Sequence, residues 1–244
     1  LLKSSGSQAP LGTWIMAASP LVTEAMGHAG FQWGVIDMEH TPLDMMEVIH
    51  LLQAAGNTKM LPIVRVPWND TVSIKRVLDA GAQTLLIPFV QNAEEARRAV
   101  AATRYPPEGI RGLAGMSRGS KFGTIPDYTK SANKTVGAVL QLETPAAVAQ
   151  LEAIAAVPGV DSLFMGPGDL SASMGFEGAQ RKLDVLADFA ESLAWSAWRT
   201  GDSFGFVGCD ERVQPAFTQP QSRTRGAGVA LAQLVLTVRP LPVA

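Results

Sequence analysis

The side chains best suited to catalysis stand where short apolar runs of the sequence end. Glu39 and His40 follow the second such run, and Arg65 lies at the end of the third. Glu143 and Asp169 follow the fifth and the sixth. Carboxylates without a cysteine beside them favour a hard cation with oxygen ligands, so these residue types predict a Mg²⁺ site, with Mn²⁺ or Co²⁺ as alternatives.

The chemistry open to such a site is narrow. A divalent cation held by only two protein side chains keeps coordination positions for a substrate and for water. A 2-keto acid can fill two of them with its carboxylate and keto oxygens, and the cation then acts as a Lewis acid that stabilises an enolate. Arg65 would add fixed positive charge beside the developing oxyanion, and His40 would move a proton, directly or through water.

Each of these residues also has a purely structural interpretation. Asp37 or Asp169 would cap the following helix, and Arg65 would pair with a neighbouring carboxylate. His28 and His50 lie in helical stretches and are expected to be structural or exposed. All polar groups at the run ends fall at one pole of the predicted sheet, however, which favours a shared functional site.

The apolar runs themselves are the elements that must position these groups. They are short and continuous rather than alternating, as in strands buried on both faces of a parallel sheet. Six are clear and two are weaker, and they cover residues 13–17, 34–37, 62–66, 84–88, 137–142, 162–166, 204–207 and part of 229–238. Helical patterns lie between them, over residues 43–55, 71–80, 93–103, 145–156 and 183–198.

Repeated βα units predict an α/β fold, and eight of them predict a TIM (β/α)8 barrel. We expect a single domain over residues 1–244, a normal size for that barrel. Residues 104–135 form a long connection, which we expect to be functional or to carry short elements of its own. Residues 199–244 form an irregular tail, because Pro215 and Pro220 fall where a helix is expected.

The composition limits the kinds of partner that the protein is expected to bind. The formal net charge of −2 gives no basic footprint for nucleic acid, and no apolar run approaches the roughly 20 residues needed to cross a bilayer. A single cysteine, Cys209, excludes an intramolecular disulfide framework and a cysteine-rich zinc site. The first residues lack the order of a secretory signal. We therefore expect a cytoplasmic protein that binds a small molecule, with neither nucleic acid nor membrane as partner.

Several ordered motifs resemble one known family. They are Ile-Asp-Met-Glu-His at 36–40, Val-Arg-Val-Pro-Trp-Asn-Asp at 64–70, Leu-Asp-Ala-Gly-Ala-Gln at 78–83, Arg-Tyr-Pro-Pro-Glu-Gly-Ile-Arg-Gly at 104–112, Gln-Leu-Glu-Thr at 141–144 and Gly-Pro-Gly-Asp-Leu-Ser at 166–171. Together they resemble the class II pyruvate aldolases of the HpcH/HpaI type, from about residue 11 to 176. This group includes 4-hydroxy-2-oxoheptanedioate aldolase and 2-keto-3-deoxy sugar acid aldolases.

The resemblance implies roles for the residues at the run ends. Glu143 and Asp169 would ligate the divalent metal. Arg65 would bind the pyruvyl oxygen and stabilise the enolate. His40 would be the acid/base element, supported by Asp79 in a dyad. The family also implies a homohexamer with sites near subunit interfaces.

The resemblance assigns further residues to substrate binding. Gln141 would hydrogen-bond in the shell of the metal and the substrate, and the backbone around Gly168 and Asp169 would hold the pyruvate carboxylate. Trp14 would line the pocket, although the residues alone leave Trp14 and Trp68 as either core residues or pocket walls. The loop 111–118 would reach the site or a neighbouring subunit. Residues 210–244 depart from the family pattern of closing elements.

The resulting hypothesis is a lyase that cleaves a 4-hydroxy-2-keto acid reversibly into pyruvate and an aldehyde. A Schiff-base aldolase is disfavoured, because no lysine stands at the end of runs two to six. Two alternatives remain. One is a related metal-enolate carbon–carbon lyase or an oxaloacetate decarboxylase, and the other is a degenerate barrel that only binds a keto acid.

Overall fold

The structure, a computed structural model, describes residues 10–175. Residues 11–166 form one compact unit, and residues 167–175 belong to a second. The seventh and eighth predicted strands, the predicted helix 183–198 and the tail 199–244 lie outside the described residues. None of the described helices combines the length and the hydropathy that a bilayer crossing requires.

Strands and helices alternate along the described chain. The strands are β1 (Gly12–Ile15), β2 (Trp33–Asp37), β3 (Leu61–Arg65), β4 (Thr84–Ile87), β5 (Gly137–Leu142) and β6 (Ser162–Met165). The helices are α1 (Pro20–His28), α2 (Met45–Gly56), α3 (Thr71–Asp79), α4 (Ala93–Thr103), α5 (Tyr128–Thr135), α6 (Pro145–Ala149), α7 (Leu151–Ala155) and α8 (Pro167–Ser173). The six clear strand predictions are confirmed, to within about two residues at either end.

The six strands form one parallel sheet in the order β1-β2-β3-β4-β5-β6. Every neighbouring pair is parallel, and the spatial order follows the order along the chain. This arrangement is consistent with a TIM-like barrel, in which each strand pairs with the next one in sequence. The carboxyl ends of all six strands lie at one edge of the sheet, which we call the carboxyl edge.

The strand register divides the side chains of the sheet between two faces. Residues paired across parallel strands point to the same face, and successive residues of a strand alternate. One face therefore carries Trp14, Val35, Ile63, Asp37, Arg65, Leu86, Val139, Gln141 and Phe164. Its apolar members form a cluster around Val35, Leu86 and Val139. We call it the site face, because it holds every polar strand residue of the predicted site.

The other face of the sheet packs toward the helices. Its residues are aliphatic and buried, among them Ile15, Ile36, Val64, Leu85 and Leu140. Helix α2 contacts β3, α4 contacts β5, and α1 packs on α2. Because both faces are covered by apolar groups along most of their length, the strands read as continuous apolar runs in the sequence.

Helices α2, α3 and α4 confirm the predicted helices 43–55, 71–80 and 93–103, and α8 is an additional helix. Helix α4 begins as predicted, with Asn92 accepting the N–H groups of Glu94 and Glu95 at 3.1 and 2.9 Å. Helix α1 was not predicted, because Thr23 is its one buried residue and no apolar stripe forms. Helix α5 confirms that the long connection 104–135 carries a short element of its own. The predicted helix 145–156 is divided into α6 and α7 at Gln150. Nothing in the sequence explains that division.

Candidate active site

Arg65 lies at the centre of the carboxyl edge. Its Nε donates to Asp37 Oδ1 at 2.8 Å and its Nη2 donates to Asp37 Oδ2 at 2.7 Å. The two residues are register partners at the ends of β3 and β2, so the sheet itself sets this bidentate geometry. Both side chains are buried. A bidentate, buried pair of this kind fixes the plane of the guanidinium group.

Asp37 is held by three neighbours. Besides Arg65, it accepts the backbone N–H groups of Glu39 and His40 at 3.0 and 3.4 Å. Burial by itself raises the pKa of Asp37, but Arg65 and these N–H groups outweigh it, so that the pKa lies below its usual value. Asp37 therefore shapes the loop after β2. It does not cap α2, whose N-cap residue is Asp44, so the capping interpretation is wrong for this residue.

Glu39 is the site residue that the sequence analysis noted but did not assign. Its Oε2 lies 2.9 Å from Arg65 Nη1 and 3.8 Å from His40 Nε2. Burial raises the pKa of Glu39; the charge of Arg65 opposes this rise and the negative charge of Glu143 adds to it. The available signal in the sequence is the position of Glu39 just after the end of β2, where the other polar groups of the site also lie relative to their strands.

Trp14 forms the floor beneath Arg65. The guanidinium carbon lies 4.4 Å from the centroid of the indole ring, which is a cation–π contact. Trp14 also meets Phe164 of β6 edge to face, with ring centroids 5.9 Å apart. Its position beneath Arg65 and beside the apolar cluster of the site face makes it both a core residue and a wall of the site.

His40 lies at the rim, just beyond Asp37. Its side chain is 55% exposed and faces Glu39. Its backbone is fixed by the hydrogen bond to Asp37, while its ring is open to solvent. A histidine placed in this way can exchange protons with solvent and with a molecule bound at the carboxyl edge.

Glu143 lies directly after β5 and is buried. Its Oε2 accepts the backbone N–H of Phe89 at 2.9 Å, and its Oε1 accepts Nε2 of Gln141 at 2.5 Å. The chain after β6 approaches closely: a Cβ added at Gly166 would lie 2.8 Å from Glu143 Cγ. Glu143 is thus a buried carboxylate bound by the chain after β4 and by Gln141 of β5, with the backbone after β6 packed closely against it.

Asp79 does not meet His40 within the chain. It is the last residue of α3, which leads into the amino end of β4, whereas His40 follows the carboxyl end of β2. These two edges of a parallel sheet are separated by the length of the strands, roughly 13–17 Å. Asp79 instead accepts Nη2 of Arg111 at 2.7 Å. Within one chain Asp79 and His40 therefore do not meet, and the dyad that the resemblance implies stays a prediction.

The loop 111–118 also lies at the edge away from Arg65. Arg111 is buried and its guanidinium carbon stacks 4.4 Å above the ring of Tyr105. Arg118 donates from Nη1 to the carbonyl oxygen of Ala80 at 3.0 Å. The loop therefore packs on the end of α3 and does not reach the site of its own chain.

Gly168 and Asp169 lie in the first turn of α8, and both are exposed. They belong to the second compact unit. Within residues 10–175, no group of three or more histidine, cysteine or acidic side chains is arranged to hold a metal ion. The predicted ligand pair, Glu143 and Asp169, stays a prediction.

Comparisons with known proteins identify the family. The family model of the HpcH/HpaI aldolase/citrate lyase family matches residues 11–235. The chain is 50% identical over 185 residues to a 2-dehydro-3,6-dideoxy-6-sulfogluconate aldolase of Pseudomonas putida, covering 76% of this chain and 72% of that protein. It is 48% identical over 181 residues to a 5-keto-4-deoxy-D-glucarate aldolase of Salmonella arizonae, covering 74% and 71%.

A solved structure that is similar to this chain belongs to the same family as these relatives. The crystal structure of an HpcH/HpaI aldolase/citrate lyase family protein from Burkholderia cenocepacia matches with a TM-score of 0.73 and 40% identity, covering 79% of this chain and 77% of that one. The resemblance stated from the motifs is confirmed. The chain belongs to the HpcH/HpaI aldolase/citrate lyase family and is an enzyme of the aldolase and lyase type.

Proposed function

We propose that this protein is a class II, divalent-metal-dependent aldolase that cleaves a 4-hydroxy-2-keto acid reversibly into pyruvate and an aldehyde. One observation carries the proposal: the buried Arg65 is fixed between Asp37 and Glu39 at the same edge as the buried carboxylate of Glu143. A rigid cation binds the oxygens of a keto acid, and a buried carboxylate at the same edge provides a ligand for a divalent cation.

The donor atoms around Glu143 fit a hard cation. Gln141 places an amide oxygen, Oε1, in a buried position where it has no hydrogen-bond partner among the described residues. Carboxylate and amide oxygens are the ligands that Mg²⁺ prefers, with Mn²⁺ and Co²⁺ as alternatives. Glu143 and Asp169 would hold the cation, with Gln141 beside it. When bound, the cation supplies Lewis-acid polarisation of the keto oxygen.

The residues of the chain account for the proton and charge movements of the cleavage. His40 takes the proton of the C4 hydroxyl as the C3–C4 bond breaks and the aldehyde leaves. The electron pair of that bond forms the enolate of pyruvate, whose oxygen lies beside Arg65. Arg65 donates two of its five guanidinium N–H groups to Asp37 and pairs with Glu39 through Nη1, and the N–H groups that remain would donate to substrate oxygens. A proton returned to C3 then gives pyruvate.

The remaining residues of the predicted site would line this pocket and support His40. Trp14 forms the pocket floor, and the backbone at Gly168 and Asp169 binds the pyruvate carboxylate. Asp79 supports His40 from another subunit of a cytoplasmic homohexamer, since the two residues lie at opposite edges of the sheet within one chain. Two further βα units would close an eight-stranded barrel.

The test is pyruvate release from 4-hydroxy-2-keto acids, followed with lactate dehydrogenase. We expect EDTA to abolish activity, Mg²⁺ or Mn²⁺ to restore it, and both His40→Ala and Glu143→Ala to lose it. His28→Ala, at an exposed helical position, is the matched control and should retain activity. Activity that is indifferent to EDTA would rule out the metal-dependent mechanism. Decarboxylation of oxaloacetate without aldol cleavage would favour the related metal-enolate lyase instead.

A further inference from the structure

We infer that Gln91 and Thr144 are positioning residues that fix Glu143 in the orientation in which it binds the cation. This role rests on the proposed function and depends on the segment 88–91, which directly follows β4. The Thr144 hydroxyl donates to Gln91 Oε1. Because Thr144 is the next residue after Glu143, this hydrogen bond joins the segment 88–91 to the chain that carries the proposed metal ligand.

Glu143 depends on the segment 88–91 for a hydrogen bond to one of its carboxylate oxygens. The backbone N–H of Phe89 donates to Glu143 Oε2 at 2.9 Å. The φ of Phe89 is 55°, in the left-handed region that residues other than glycine seldom adopt. Such a conformation persists only where the surrounding contacts hold it. The direction of this N–H group therefore depends on the contacts that fix the rest of the segment.

Gln91 fixes the last residue of the segment through both its backbone and its side chain. Its backbone N–H donates to Glu95 Oε2 of α4 at 2.9 Å, and its side chain accepts the Thr144 hydroxyl. One residue earlier, the N–H of Val90 donates to the carbonyl oxygen of Gln141 at 3.2 Å. The segment 88–91 is therefore bound to the start of α4 and to the end of β5, and the side chain of Gln91 joins the two.

The amide of Gln91 is poorly suited to a role in stability alone. Its Nε2 is buried and has no hydrogen-bond partner among the described residues. A buried donor without a partner destabilises a folded protein, whereas an apolar side chain of similar size carries no such cost. The favourable contact of this amide is the one that Oε1 makes with Thr144. Gln91→Leu should therefore loosen Glu143 without lowering the stability of the fold.

Thr144 makes two contacts that variants can separate. Its Oγ1 accepts the backbone N–H of Ala147 at 3.2 Å and so caps α6, while its hydroxyl proton is donated to Gln91. Thr144→Ser keeps both contacts and Thr144→Val removes both, whereas Gln91→Leu removes only the second. Asn92→Ala is the matched control, because it removes the cap of α4 at the residue next to Gln91 and leaves the contact with Thr144 in place.

The experiment measures Mn²⁺ binding by calorimetry and, on the metal-free protein, the free energy of unfolding by urea titration, since a bound cation would itself add stability. We expect Gln91→Leu to bind Mn²⁺ about tenfold more weakly and to be at least as stable as the unaltered protein. Thr144→Val should lose both affinity and stability, and Thr144→Ser should retain both. Asn92→Ala should lose stability and bind Mn²⁺ as the unaltered protein does.

A double variant shows whether one hydrogen bond carries the effect. Gln91→Leu combined with Thr144→Val should bind Mn²⁺ no more weakly than either single variant, because both changes remove the same contact. Unchanged Mn²⁺ binding in Gln91→Leu, weaker binding together with lost stability in that variant, or losses that multiply in the double variant would overturn the inference alone. Absence of Mn²⁺ binding in the unaltered protein would overturn the proposed function with it.

Discussion

Arg65 is a buried cation whose orientation is set before any substrate arrives. Asp37 binds Nε and Nη2 on one edge of the guanidinium group, Glu39 faces the third nitrogen, and Trp14 lies beneath its plane. Taking such charges out of water is costly, and the cost is offset only when every partner is well placed. A positive group held this rigidly does not need to reorganise as negative charge develops on the substrate.

The free energy of unfolding of an Asp37 variant tests how much this buried ion pair stabilises the protein. Asp37→Asn leaves Arg65 buried with one carboxylate partner, and we expect the free energy of unfolding near pH 7 to fall by about 3–5 kcal/mol. The folded-state pKa of Asp37 lies below the unfolded value. Its stabilisation is therefore complete above about pH 4 and is lost as the pH falls through the lower folded value. Urea titrations of both proteins at several pH values should show the difference shrinking in acid.

The rate of keto acid cleavage by an Arg65 variant tests the catalytic role of the fixed guanidinium group. A lysine is not equivalent to arginine at this position, because Arg65→Lys keeps the positive charge but provides no planar fork for Asp37 and Glu39. We expect kcat/KM for keto acid cleavage to fall by about 10²–10³. Arg76→Lys, at an exposed position of α3, is the control and should be indistinguishable from the unaltered protein. Full activity in Arg65→Lys would show that charge alone suffices.

At the scale of elements, the ends of β5 and β6 approach each other as closely as a glycine allows. In Gly166→Ala the new Cβ would lie 2.8 Å from Glu143 Cγ and 3.0 Å from its Oε1. We expect Glu143 to shift and kcat to fall on the order of 10²-fold, with weaker Mn²⁺ binding in calorimetry. Gly56→Ala, where the added Cβ meets no atom within 4 Å, should change neither quantity.

The N-cap of α4 lies outside the site, so we expect its replacement to lower the stability of the protein and to leave its activity unchanged. Asn92 accepts two backbone N–H groups of the first turn. Asn92→Ala should lower the free energy of unfolding by about 1 kcal/mol, while Asn92→Asp should keep the cap. Urea denaturation followed by circular dichroism measures both. Equal stability of the three proteins would mean that water replaces the cap at no cost.

The sequence predicts the strands better than the helices, for a physical reason. Strands buried on both faces must be apolar along most of their length, so β4 and β5 are visible as continuous runs. Helices α1 and α5 bury one residue each and carry no stripe to detect. Within the site, the sequence indicates Arg65 and Glu143 because Arg65 ends β3 and Glu143 directly follows β5. The φ of Phe89 and the pairing of Asp79 with Arg111 arise from tertiary contacts that no local pattern encodes.

At the scale of the whole molecule, the polarity of the sheet decides which residues can meet. Order along the chain already places Asp79 at the edge opposite His40, since it ends the helix that leads into β4. The proposed dyad therefore requires two chains, and the proposed hexamer supplies them. His40→Ala and Asp79→Ala should each be inactive, and a mixture of the two, unfolded and refolded together, should regain part of the activity. Light scattering should show a hexamer in each case, and an inactive mixed hexamer would exclude the shared dyad.

The common face of Asp37, Arg65 and Gln141 constrains how the gene can change. These side chains share a face because each stands at the same parity in its strand. Removal of one codon within β5 would exchange the two faces, turning Gln141 toward the helices and Leu142 toward the substrate. Codons added between β4 and β5, where the chain already spans a long connection, leave that parity intact. We expect length variation among functional variants to fall in the connections and to be absent from the strands.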